Sequence, residues 1–69
     1  MAFNVPNESK IELLTKSLES LNLEGYQHEI NLKSSELRND PDAIDRAKQA
    51  IAIIESAITV IQEELDNLN

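Results

Sequence analysis

The chain has no cysteine and no tryptophan, one glycine, two prolines and two aromatic residues, Phe3 and Tyr26. Without cysteine there is no disulfide framework, no thiolate metal site and no thiol nucleophile. So few glycines and prolines do not supply the turns of a sandwich or barrel, and with 41% apolar residues but two aromatics the core must be aliphatic. Cations are scarce as well. Six Lys plus Arg stand against thirteen Asp plus Glu, a formal charge of −7, which repels phosphate backbones and anionic lipid headgroups. Neither direct nucleic-acid binding nor membrane binding is expected. The longest unbroken apolar run, Ala50 to Ile54, is five residues against the roughly 20 of a membrane span. Met1 to Pro6 offers neither the basic nor the apolar stretch of a secretory signal. The Asn7-Glu8-Ser9 triplet fits a glycosylation acceptor, but such triplets arise often by chance and matter only in a secreted protein. The expectation is one small, soluble, cytosolic domain.

What the sequence does contain is helical periodicity. From Pro41 to Asn69 the apolar positions Ile44, Ala47, Ile51, Ile54, Ile58, Ile61, Leu65 and Leu68 alternate steps of three and four without interruption, the mark of a heptad seam. Isoleucine is a mediocre helix former, so this helix depends on tertiary packing. Asp40-Pro41-Asp42 reads as its start: a side-chain acceptor at the N-cap, a proline where no N–H is missed, and a carboxylate at the positive end of the dipole. Asp42 and Arg46 are spaced for a surface ion pair. Arg38-Asn39 suits the end of a preceding helix, with a cation in the last turn and an asparagine able to turn left-handed. So short a connection makes the two helices antiparallel.

Upstream, Ile11, Leu14, Leu18 and Leu21 step by three and four, as do Tyr26, Ile30, Lys33 and Leu37, but five residues separate Leu21 from Tyr26. Gly25 lies inside that jump. Either one helix runs through it at a cost of about 1 kcal/mol, or the chain breaks at Asn22–Gly25 into three helices. Register favours the first. Folding at residues 39 and 40 pairs Ile11 with Leu68, Leu14 with Leu65, Leu18 with Ile61 and Leu21 with Ile58; beyond the jump, Tyr26 meets Ile54, Ile30 meets Ile51, Lys33 meets Ala47 and Leu37 meets Ile44. Leu23 falls off both runs. The expected fold is therefore all-α, a coiled-coil-like antiparallel two-helix hairpin over 1–69, with an N-terminal arm at 1–7, helix 1 at 8–38, a turn at 39–40 and helix 2 at 41–68. Asn7, or Ser9 with Glu12 as a capping box, is the expected N-cap of helix 1, and Phe3 or Val5 is placed to cover the open end of the core.

The second helix is greasier than one partner requires. Ala43, Ala50 and Ala57 recur every seven residues beside the seam, and Ile53 with Val60 is read as a further row on its other side. A wide stripe calls for a second partner, and a small core seldom supplies more than about 3 to 5 kcal/mol. The expectation is a homodimer, two hairpins forming a four-helix bundle. Charge is uneven: residues 1–24 hold four acids and two bases, residues 49–69 four acids and no base, and residues 25–48 five acids and four bases. All but one unit of the net charge thus sits at the open end, where Glu63, Glu64 and Asp66 read either as a solvated helix end or as an acidic docking surface for a basic partner.

Catalytic and metal motifs are weak. Gly25 rules out a glycine-rich phosphate loop by being alone, and His28 is the single histidine. Glu24 and His28 are four apart and share a helix face, a spacing from which two copies could build a metal site, but the plainer reading is a surface histidine paired with Glu24. Tyr26 reads as a core aromatic whose hydroxyl reaches water, and Lys33 as a cation snorkelling past Ala47. Ser9, Ser17, Ser20, Ser34, Ser35 and Ser56 show no arrangement with His and acid. No catalytic, cofactor or metal residue is assigned. The leading expectation is a non-enzymatic interaction module that self-associates and docks a protein partner. Alternatives are an acidic, antitoxin-like inhibitor covering the nucleic-acid-binding surface of a basic target, or a small subunit or assembly factor using Ile53, Val60 and the alanine row.

Overall fold

The computed structural model of the chain describes residues 3–68, which form two helices, α1 (Asn7–Leu37) and α2 (Pro41–Leu68), joined by a tight turn. They pack along their lengths as an all-α hairpin of 48 × 18 × 16 Å. Met1, Ala2 and Asn69 lie outside the described residues.

The turn is fixed by backbone chemistry. The Asn39 N–H donates to the Glu36 carbonyl and the Asp40 N–H to the Ser35 carbonyl, both at 3.1 Å, the double bond of a Schellman motif. This requires a left-handed residue after the C-cap, and Asn39 supplies it at φ 54°. Asp40 then caps α2, its Oδ1 accepting from the Ala43 N–H at 3.2 Å and its carbonyl from the Ile44 N–H at 3.0 Å. The other end of α1 differs from expectation. Pro6 is the N-cap, with no side-chain cap, and its carbonyl accepts from the Lys10 N–H at 3.0 Å. Asn7 and Ser9 are therefore already inside the helix, and Glu12 instead pairs with Lys16 at 3.1 Å. Asp42 and Arg46 form no ion pair.

The inner face of α2 is the anticipated seam: Ala47 and Ile54 are buried, and Ile44, Ile51, Ile58, Ile61, Leu65 and Leu68 are half-buried. The inner face of α1 is not. Leu14, Leu18 and Leu21 point inward, but the seam continues through Gly25, His28, Leu32 and Ser35, keeping strict steps of four and three with no jump. Helix α1 is continuous through Gly25. A methyl group placed on Gly25 would lie 3.6 Å from Ile54 Cγ2, so these two positions face each other, and counting outward pairs Leu21 with Ile58, Leu18 with Ile61 and Leu14 with Leu65. Counting toward the turn gives His28 with Ile51, Leu32 with Ala47 and Ser35 with Ile44. One register serves the whole hairpin.

Tyr26, Ile30 and Leu37 are 64%, 44% and 87% exposed, and Lys33 is exposed too. They lie on the outside of α1, so the pairings of Tyr26 with Ile54, Ile30 with Ile51, Lys33 with Ala47 and Leu37 with Ile44 do not form. The jump of five residues marks a change of face, because at 3.6 residues per turn an added residue rotates the stripe by about 100°. Ser35, buried at 4% exposure, is tolerated because its Oγ donates to the Asn31 carbonyl at 2.8 Å and accepts from Arg38 Nη2 at 3.5 Å. That satisfies the hydroxyl.

Two substitutions test this packing. Gly25→Ala has an ordinary helical φ and only van der Waals contact ahead of it, so it stabilises the hairpin by about 0.5–1 kcal/mol, read as a raised Tm. Ile54→Asp places an unpaired carboxylate where 7% of the surface is exposed and abolishes the helical circular dichroism signal; a normal melt would contradict the burial.

Candidate interaction surfaces

Among the described residues the concave features include open grooves along the two sides of the hairpin and a cleft at its open end. The end cleft is lined by Phe3, Val5, Lys10, Leu13, Leu14 and Glu64. The arm thus lies over the last turn of the core, with Phe3 still 77% and Leu13 65% exposed. Glu63, Glu64 and Asp66 are exposed and make no ion pair with another described residue. This end joins exposed apolar side chains to unneutralised carboxylates.

One side groove holds the alanine row. Ala43, Ala50 and Ala57 are half-buried against α1, and Ala43 shares its part of the groove with His28, Asn31, Ser35, Arg46 and Ala47. Further along, the groove is lined by Lys16, Ser17, Ser20, Leu21 and Ile61. Ile53 and Val60 are 70% and 57% exposed. With the seam of α2 facing inward, helical geometry sets both of them beyond the alanine row on the same side, not across the seam, because each follows an alanine of that row by three residues. Alanine, isoleucine and valine thus form one broad sector.

The outer face of α1 carries a second apolar stripe. Leu23, Ile30 and Leu37 are seven residues apart, with Tyr26 between the first two, and Leu23 is 73% exposed. Leu23, which fits neither inner run, belongs here. The stripe was readable in the sequence as that spacing, had the run of Leu14, Leu18 and Leu21 first been extended through Gly25, His28, Leu32 and Ser35. Tyr26 leans over the opposite side groove, whose lining includes Leu21, Gly25, Ile54, Ile58, Glu29 and Glu55. It is not a core residue.

His28 occupies a half-buried seam position, and Glu24 makes neither a hydrogen bond nor an ion pair with it. Among the described residues no group of three or more His, Asp or Glu side chains comes together as a metal cage, and no buried polar side-chain atom lacks a partner. Comparison with protein families, with characterised proteins and with solved structures gives no match.

Because His28 stands where the seam calls for an apolar side chain, His28→Leu raises stability by about 1 kcal/mol, measured by urea denaturation; a destabilised variant would show that the imidazole makes an interaction the hairpin needs.

Proposed function

We propose that the chain is a non-enzymatic protein–protein interaction module, an acidic helical hairpin that pairs with a second copy of itself and docks a further protein. The observation that carries this reading is the imbalance of its apolar surface. Among the described residues Ala47 and Ile54 are the buried apolar ones, while ten large apolar side chains, Leu23, Tyr26, Leu37, Ile53 and Val60 among them, are exposed. Single exposed aliphatics are ordinary on soluble proteins. Rows of them at helical spacing, on a chain too small to bury a full core, are what an association surface presents. Ala43, Ala50, Ala57, Ile53 and Val60 give one such face, and small side chains there let another helix approach closely.

The open end supports the docking half of the proposal. Glu63, Glu64 and Asp66, beside the exposed Phe3 and Leu13, suit a basic partner with an apolar anchor, and opposite fields speed such an encounter. The same feature favours a second reading, an acidic inhibitor that covers the nucleic-acid-binding surface of its target. No described helix is long and apolar enough to cross a membrane.

Light scattering at micromolar concentration tests self-association directly: the expected mass is twice the 7.8 kDa of the chain, and a single-chain mass at every concentration would overturn it. For the docked protein, affinity falling steeply with salt identifies the acidic end as the contact; salt-independent binding moves the contact elsewhere.

A further inference from the structure

The turn-proximal half of α1 is amphipathic the wrong way round. Its inward positions are Gly25, His28, Leu32 and Ser35, whereas Leu23, Tyr26, Ile30 and Leu37 face water. The apolar side chains on this stretch of α1 are therefore mostly aimed at something other than α2. We infer that a second copy of the chain covers this outer stripe, the two α1 helices lying antiparallel across a two-fold axis that passes between Ile30 and Lys33. This rests on the reading that the chain self-associates and says where and how it does so.

Two observations select a second copy as the occupant. The first is charge. The stripe lies within residues 25–48 and their immediate approach, a segment with five acids and four bases, while the rest of the chain, the half toward the open end, holds eight acids against two bases. Overlapping the turn-proximal halves antiparallel sends the two acidic ends in opposite directions along a 48 Å rod, far beyond the roughly 8 Å range of electrostatic repulsion at physiological salt. Side-by-side pairing of whole rods in parallel would bring those ends together. The second is self-complementarity. An antiparallel heptad pairing sets Tyr26 against Leu37 and Ile30 against Lys33 of the second copy, so the one cation in the stripe lays its aliphatic stem on Ile30 and its ammonium beside Glu29. Neither Lys33 nor Glu29 has an ion-pair partner within the hairpin. The two-fold axis makes that bridge twice.

Ile30 and Ile53 are both exposed, so Ile30→Glu and Ile53→Glu each leave the hairpin folded, as circular dichroism verifies. In sedimentation equilibrium the wild type is a dimer, Ile30→Glu weakens it by about 30-fold or more, and Ile53→Glu leaves it intact. Dissociation by Ile53→Glu alone overturns the stripe as the contact while self-association stands, and a monomeric wild type removes both. If both variants dissociate, a nitroxide on Asn67→Cys, in a chain free of other cysteines, decides. Antiparallel overlap places the two labels farther apart than the 48 Å of one rod, and a shorter distance overturns it. Lys33→Glu weakens the dimer and adding Glu29→Lys restores it; no recovery contradicts the register. Tyr26 is the single tyrosine and tryptophan is absent, so tyrosine emission changes as the dimer is diluted apart. Unchanged emission across dissociation overturns burial of the stripe.

Discussion

The fold depends on one constraint, that the isoleucine seam of α2 must be covered along its whole length by a helix that offers it a single register. The left-handed Asn39 and the Asp40 cap set where the chain reverses, and a reversal fixed at that point leaves α1 no freedom to slide. Gly25 then falls opposite Ile54. A side chain longer than a methyl group at position 25 would compete with Ile54 for the same space, and the most buried isoleucine of α2 would lose its seat. The glycine that looks like a helix breaker is thus an inward seam position with room for a methyl group, its backbone in ordinary helical geometry.

Helix α2 was legible from its residues because every seam position is apolar and its start carries three independent signals in Asp40, Pro41 and Asp42. The turn was legible for the same reason: Asn39 and Asp40 each satisfy a backbone requirement that few residue types meet. The open half of α1 was equally clear through Leu14, Leu18 and Leu21. The turn-proximal half was not. Hydrophobic periodicity reports which face is apolar, and there the apolar face is the outer one. Tyr26, Ile30 and Leu37 keep heptad spacing, so the pattern continues convincingly while pointing away from α2. Gly25, His28 and Ser35 give no hydrophobic signal, and only their steps of four and three from Leu21 mark them as inward. Of the surfaces, the alanine row, Ile53 and Val60 are visible as an excess of apolar residues on α2, whereas the larger stripe on α1 has the spacing of a core seam and is hidden by that likeness.

The same division underlies the proposal that so small a chain takes a partner. A hairpin whose inner face includes glycine, histidine and serine buries less apolar surface than its composition allows, and what it does not bury lies in rows on two outer faces. Charge is sorted along the orthogonal direction, with the acids at the open end and near balance by the turn. Apolar surface and net charge thus lie on different parts of one rod, the arrangement on which the proposed pairing at one half and docking at the other both rest.

The account is tested most directly by nuclear Overhauser contacts between the helices in solution. It predicts cross-peaks from the Gly25 α protons to the Ile54 Cγ2 methyl and from Leu32 to Ala47. Contacts from Ile30 to Ile51 and from Lys33 to Ala47 in their place would put the outer stripe inside the hairpin and contradict it.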